Sequence, residues 1–262
     1  MNARVPQLYV EAFGEGPPLV LLHGFAMHGG LFEPLLPALT PHFRVHVVDL
    51  PGHGRSPPVD GADIERIAAA IDDATAAIAR PLTVLGWSLG GQAALQWARE
   101  WPGRIARLVL VATTPSFVVR DDWTCAMTAA TLARFGDELR IAYRLTLLRF
   151  LTLQVRGSDD GRRTLAVLRE RLFERGEPTS ATLAATLAVL ATTDLRDALT
   201  RVRTPALVIG GDKDTLVPLA ATEALAAALP RATHATINGA AHAPFLSHPR
   251  PFIDALRSFT HG

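Results

Sequence analysis

The sequence predicts an α/β domain: a mostly parallel central sheet with helices on both faces, and a helical cap inserted between core strands. Three observations carry that expectation. Short apolar runs alternate with segments of helical periodicity, which calls for parallel strands joined by right-handed crossovers. The runs Leu19-Val20-Leu21-Leu22 and Leu108-Val109-Leu110-Val111-Ala112 are continuously apolar, as strands covered on both faces are. From about Phe117 to Ala191 the strand pattern lapses and only helical segments are legible.

In chain order, Leu8 to Phe13 alternates partially, as an edge strand does, and stops at Gly14-Glu15-Gly16-Pro17-Pro18. Leu19 to Leu22 ends in His23-Gly24-Phe25, and a third strand, Val45 to Asp49, ends in the breaker-rich loop Leu50-Pro51-Gly52-His53-Gly54-Arg55-Ser56. Ile64, Ile67, Ala68, Ile71, Ala74, Ala77 and Ile78 recur at helical spacing. A strand at Leu82 to Leu85 precedes a helix over Gln92 to Glu100. The inserted segment reads as several helices broken at Gly136, Gly157-Ser158, Gly161 and Gly176-Glu177-Pro178. Alternation resumes with a strand at Ala206 to Ile209, a helix from Ala220 to Leu229, a short strand at Ala235 to Ile237, and a last helix from about Pro251 to Phe259. The expected partition is a core at 1–116, a cap at 117–191 and the rest of the core at 192–262.

Composition narrows the function classes. A formal net charge of +1 supplies no global field for nucleic acid or a membrane surface, and neither is expected as a partner. Cys125 is the only cysteine, which excludes an intramolecular disulfide and any cysteine-based zinc cluster. The stretch Met1 to Gln7 lacks the apolar run of a leader, and no later run is long enough to span a bilayer. A cytoplasmic monomer is expected. The histidines are scattered and no H-E-x-x-H or dinucleotide fingerprint occurs, so neither metal nor cofactor is expected.

The chemistry centres on Gly86-Trp87-Ser88-Leu89-Gly90. A strand that reverses sharply into a helix strains its apex residue, so the positions two away on either side must be small; Gly86 and Gly90 are. Ser88 is then lifted clear of the sheet, in front of a helix N-terminus that favours negative charge. A serine hydroxyl needs a base, and the base needs a carboxylate to fix its tautomer. In this fold class the chain order runs serine, acid, histidine. His242, in Gly239-Ala240-Ala241-His242-Ala243-Pro244, lies just past the last strand. His234 precedes that strand, at the wrong edge; His248 falls before the last helix and His261 in the tail. Gly210-Gly211-Asp212-Lys213-Asp214 offers two carboxylates, of which Asp214 is further out toward His242 and Asp212 is expected to hold the turn through its own backbone. Asp194 and Asp197 lie before the strand. The oxyanion donors are expected from the N–H groups of Leu89 and Phe25, with His23 and Gly24 shaping the loop.

These motifs together resemble the α/β-hydrolases over nearly the whole chain. Arg149-Phe150-Leu151-Thr152-Leu153-Gln154, Thr193-Asp194-Leu195-Arg196 and the run Ala240 to Pro249 make it more narrowly similar to the biotin-pathway carboxylesterases that cleave the methyl ester of pimeloyl-acyl carrier protein. The resemblance implies a triad of Ser88, Asp214 and His242, an oxyanion site bounded by Phe25 and Leu89, and an acyl channel lined by Phe150, Leu151, Thr152, Leu153 and Gln154. It also implies an acyl carrier protein partner engaged by cap arginines. Arg149 and Arg162 match positions of that kind, with Arg144 and Arg163 close by. Between Arg140 and Arg175, nine arginines face only Asp159, Asp160, Glu170 and Glu174, a basic cap on an otherwise slightly acidic body. The chain departs from the family in carrying Phe25 where better-known members have tryptophan, and Ala166 where a further arginine would fall. Two other readings are open: the same triad on small esters, enol-lactones or carbon–carbon bonds, and a binding module without catalysis.

Overall fold

The computed structural model describes residues 7–261, so the reading of residues 1–6 lies outside it. The elements in order are β1 (Val10–Phe13), β2 (Pro18–Leu22), a 3-10 helix (Gly29–Leu35) running into α1 (Leu36–Leu39), β3 (Arg44–Val48), α2 (Ile64–Ala74), β4 (Leu82–Trp87), α3 (Leu89–Glu100) and β5 (Ile105–Val111). Three helices follow, α4 (Ala129–Gln154), α5 (Gly161–Arg171) and α6 (Ser180–Thr192). After a second 3-10 helix (Arg196–Arg201) come β6 (Ala206–Gly211), α7 (Leu219–Ala228), β7 (Ala232–Ile237), α8 (Pro244–Ser247) and α9 (Pro249–His261).

The seven strands form one sheet in the order β1-β3-β2-β4-β5-β6-β7. Only β1 pairs antiparallel, on β3; every other pairing is parallel. The continuous apolar runs occupy the middle: Leu19, Val20, Leu21 and Leu22, and likewise Leu108 to Val111, have no exposed surface. Because β2, β4, β6 and β7 run the same way, the loops that follow them, carrying Phe25, Ser88, Asp214 and His242, emerge at one edge. The α2 helix shows how locally the sequence dictates its elements. Asp63 caps it by accepting the Arg66 N–H at 2.7 Å, and Ile64, Ile67, Ala68 and Ile71 form its buried stripe.

The inserted helices depart from the expected breaks at one point. Gly136 does not end a helix; α4 continues through it and bends instead at Ala142, whose φ of −146° and ψ of 60° are non-helical. A helical glycine costs only about 1 kcal/mol, and here it lets Leu187 of α6 approach so closely that an added Cβ would lie 3.0 Å from the leucine Cδ2. The other breaks fall where expected, with Gly157 and Gly176 both at positive φ between helices. Two further corrections concern the last strand and helix. His234 lies within β7 rather than before it, its Nε2 3.0 Å from Thr222 Oγ1, and the terminal helix starts at Pro249 after the separate short α8.

The C-terminal end of α5 and the turn after it are fastened to the sheet by charge. Arg175, its side chain only 5% exposed, pairs with Glu11 at 2.5 Å and lies 3.6 Å from both Glu33 and the fully buried Asp49. Arg171 reaches Glu33 at 2.6 Å, and its carbonyl accepts from His28 Nε2 at 2.6 Å. Asp49 itself accepts the N–H groups of Gly29 and Arg55 at 2.7 and 3.0 Å. Two of the nine arginines counted in the basic stretch are therefore internal struts.

A buried histidine pair beneath the site adds an acid-sensitive element. His23 donates from Nδ1 to the Gly24 carbonyl and accepts the Leu50 N–H at Nε2, both at 2.8 Å, and its ring centre lies 5.4 Å from that of His53. Burial pushes the His53 imidazole down to about 4, and burial reinforced by His53 holds His23 well below the ordinary range. As pH falls, the unfolded chain takes up protons first, so this contribution is complete above about pH 6.5 and is lost as pH drops toward 4. Melting temperature should therefore fall steadily from pH 7 to pH 5, and His53→Asn should flatten that slope; an unchanged slope by calorimetry would count against the pair as its source.

Candidate active site

The reversal from β4 into α3 puts Ser88 at φ 56° and ψ −119°, a conformation that side-chain-bearing residues rarely adopt. Four hydrogen bonds hold it there. Ser88 N–H donates to the Val111 carbonyl at 2.9 Å, and the Ser88 carbonyl accepts from Thr113 Oγ1 at 2.7 Å and from the N–H groups of Gly91 and Gln92 at 2.9 and 3.2 Å. The flanking glycines are required by close approach: a Cβ on Gly86 would run into the Gly90 carbonyl, and one on Gly90 into the Leu22 carbonyl.

Three side chains then meet in a line. His242 Nε2 stands 3.1 Å from Ser88 Oγ, and His242 Nδ1 donates to Asp214 Oδ2 at 2.8 Å. The other Asp214 oxygen accepts the N–H groups of Leu216 and Val217 at 2.8 and 3.0 Å, so the carboxylate is fixed by its own loop before it meets the imidazole. The local backbone turn expected of Asp212 thus belongs to Asp214. Asp212 instead braces the neighbouring loop by accepting the Gly239 N–H at 2.7 Å, while pairing with Lys213 at 3.0 Å. A carboxylate further along the loop has room to turn back onto its own amides, whereas Asp212, at the strand end, faces the adjacent strand's loop.

The main chain of His242 is clamped from both sides. Its N–H donates to the Gln154 carbonyl at 3.0 Å, and its carbonyl accepts from Trp87 Nε1 at 2.8 Å. The end of α4 therefore fixes the backbone from which the imidazole projects. No residue type signals this, because any residue at position 154 offers the same carbonyl. Trp87 left a faint trace: an indole beside the serine is a donor that seeks a buried acceptor.

Above Ser88 lies an apolar cavity of about 90 Å³ that includes Phe25, Phe117, Phe135, Phe150, Leu153 and His242 in its wall. Phe25, Phe135 and Phe150 pack edge to face or tilted, with ring centres 5.3–6.1 Å apart, and join the loop after β2 to both halves of α4. Of the five residues expected along the channel, Phe150 and Leu153 reach the cavity wall. Leu151 is fully buried away from it, Thr152 is exposed with its hydroxyl on the Leu148 carbonyl, and Gln154 contributes its carbonyl to His242. The reason is helical: consecutive residues of α4 point in different directions, and only those three or four apart share a face. Leu132, Phe135, Leu187 and Leu216 line the cavity without having been anticipated. Leu89 is likewise buried and not in the wall, and it opens α3. Among the described residues, no carbonyl or side chain takes the N–H of Phe25 or of Leu89.

The arginines of α4 and α5 separate into two sets. Arg144 is exposed but engaged, bound to Glu177 and Tyr143 and resting over the Phe173 ring at 5.5 Å. Arg163 is exposed and 4.0 Å from Asp160. Arg149 and Arg162 are exposed, and among the described residues no carboxylate lies within ion-pair distance of either. No group of three or more His, Cys, Asp or Glu side chains among the described residues is arranged to hold a metal ion, and no described helix is long and apolar enough to cross a membrane.

Comparison with known proteins agrees with this architecture. Residues 17–249 match the family model described as alpha/beta hydrolase fold. A protein of Nitrosomonas europaea named pimeloyl-[acyl-carrier protein] methyl ester esterase is 44% identical over 249 residues, 95% of this chain and 98% of its own. A protein of the same name from Xanthomonas oryzae pv. oryzae is 45% identical over 253 residues, 96% of this chain and 98% of its own. The esterase from Exiguobacterium antarcticum superimposes with a TM-score of 0.88 at 23% identity, covering 97% of this chain and 96% of its own, a likeness of fold. The chain is a carboxylic ester hydrolase that belongs to the alpha/beta hydrolase fold family, within which the two relatives above are named pimeloyl-[acyl-carrier protein] methyl ester esterases.

Proposed function

We propose that this chain hydrolyses the methyl ester of pimeloyl-acyl carrier protein, through an acyl-enzyme on Ser88. Support for the mechanism comes from the unbroken line Ser88 Oγ, His242, Asp214 at the floor of an apolar cavity. Support for the substrate comes from identity of 44–45% to relatives of that name over nearly the full chain. Ser88 Oγ attacks the ester carbonyl as His242 Nε2 takes its proton, and Asp214 stabilises the resulting imidazolium. The carbonyl oxygen becomes an oxyanion held by the N–H groups of Phe25 and Leu89. When the tetrahedral intermediate collapses, the carbon–methoxy bond breaks and His242 delivers the proton to the departing oxygen as methanol. Water then gives a proton to His242 and attacks the acyl carbon. Ser88 leaves with that proton, releasing the free carboxylate of the carrier-bound chain.

In this reading residues 117–191 serve as the cap, and Arg149 and Arg162 attract the acidic carrier protein, with Arg144 and Arg163 at the margin of that surface. Exposed charges steer over about 8–10 Å at ordinary ionic strength, so their effect should be salt-sensitive. Arg149→Ala combined with Arg162→Ala should raise KM for the carrier-bound ester by about three- to tenfold at low salt. The same pair should leave p-nitrophenyl acetate turnover unchanged. Steady-state kinetics on the two substrates across a salt series decide the matter. If both substrates respond alike, or neither does, the chain is better read as an esterase of small free esters, which the 90 Å³ cavity would also suit.

A further inference from the structure

A second apolar space lies on the far side of the cavity wall. It is a groove of about 420 Å³ between the first half of α4 and α6, with the exposed Ala133, Ala184 and Ala188 along it and the Asp137–Arg140 pair among its walls. Leu132 and Leu187 line both the groove and the cavity above Ser88. One layer of two leucine side chains, each 7–8% exposed, therefore separates them. The wall is thin because Gly136 lets Leu187 lie directly against α4.

Size gives this juxtaposition a consequence. The groove, at about 420 Å³, offers several times the room of the cavity, at about 90 Å³. A linear acyl chain bound through its carbonyl to Ser88 would occupy a cavity that Leu132 and Leu187 help to wall. Both are flexible at χ1 and χ2 and border open space on the groove side, so they can turn outward without disturbing the backbone. We propose that Leu132 and Leu187 are a chain-length gate, and that the α4–α6 groove receives the aliphatic tail of a medium-chain acyl ester when the gate is displaced. The occupant is an unbranched hydrocarbon tail, because the groove shares Leu132 and Leu187 with the cavity above Ser88 and most of its lining is apolar. The inference rests on the serine-esterase reading of Ser88 and adds a specificity element to it.

The test compares p-nitrophenyl decanoate with p-nitrophenyl acetate. Burying one methylene is worth about a fourfold gain in affinity, so Leu187→Ala should raise the decanoate-to-acetate ratio of kcat/KM by at least about tenfold. Leu187→Val and Leu132→Ala should shift it in the same direction, which guards against a poorly folded single variant. Adding Ala184→Phe to Leu187→Ala fills the groove from its exposed side and should return the ratio toward the wild-type value. A ratio unmoved by opening the wall, or a gain that survives filling the groove, overturns the gate. Ser88→Ala, run with both esters, separates the two levels: surviving hydrolysis removes the serine-esterase reading and the gate with it. Abolished hydrolysis with an unmoved ratio removes the gate alone.

Discussion

Ser88→Ala is expected to lower kcat for ester hydrolysis by about 10⁶-fold, with substrate affinity retained. The size of the effect follows from what the residue holds in place. Ser88 Oγ is the nucleophile of the proposed acyl-enzyme and the hydrogen-bond partner of His242 Nε2, so its loss removes the covalent route and leaves the base with nothing to deprotonate. The proposed oxyanion donors, the N–H groups of Phe25 and Leu89, are backbone groups and survive the change, which leaves a residual acceleration over water. Alanine also keeps the apex conformation, since the bonds that pin residue 88 all use its main chain. Binding of the uncleaved ester should therefore persist by calorimetry while product formation disappears. Turnover within tenfold of wild type would remove Ser88 from the chemistry and reopen the reading of this fold as a binding module.

Arg175→Met should destabilise the protein by about 3–5 kcal/mol, the usual cost of leaving a buried charge without its partner. Asp49 has no exposed surface, and Arg175 supplies its nearest cation at 3.6 Å while pairing with Glu11 at 2.5 Å. Methionine keeps much of the length of the side chain but none of its charge, so the stranded Asp49 carboxylate dominates the loss, while Glu11 and Glu33 keep Arg55 and Arg171. In a chain of this size each kcal/mol moves the melting temperature by about 2–4 °C, so a fall on the order of 10 °C is expected by thermal denaturation. Exposed Arg162 offers the contrast, since its replacement by alanine should shift the melting point by a degree or two at most. Equal shifts would mean that Arg175 belongs with the steering surface and is not a strut between the α5 end and the sheet.

That contrast marks where sequence reasoning reached its limit. Counting nine arginines between Arg140 and Arg175 treated them as one basic surface, yet Arg171 and Arg175 turn inward to carboxylates at positions 11, 33 and 49, far away in the chain. Charge balance is additive along a sequence, but ion pairing depends on which distant residues the fold brings together. The channel residues failed for a related reason. Phe150 to Gln154 are contiguous, and a helix spreads contiguous residues around its circumference, so two reached the cavity while the others turned to the core, to solvent or to a backbone contact.

By itself, the sequence determined the α/β class, the strands of the central sheet, the elbow at Ser88, and the residues His242 and Asp214 that now stand in hydrogen-bonding line with it. These were legible because each depends on local constraints: continuous apolar runs, glycines at forced close approaches, and loops that follow parallel strands. Tertiary structure alone decided that the Gln154 carbonyl fixes the backbone of His242, that Phe25 joins Phe135 and Phe150 in one cluster, and that Leu132 and Leu187 divide two apolar spaces. Each of those depends on how the inserted helices lie across the sheet. Apolar packing, which is non-directional, and a backbone carbonyl, which every residue carries, leave no mark in the sequence to announce it.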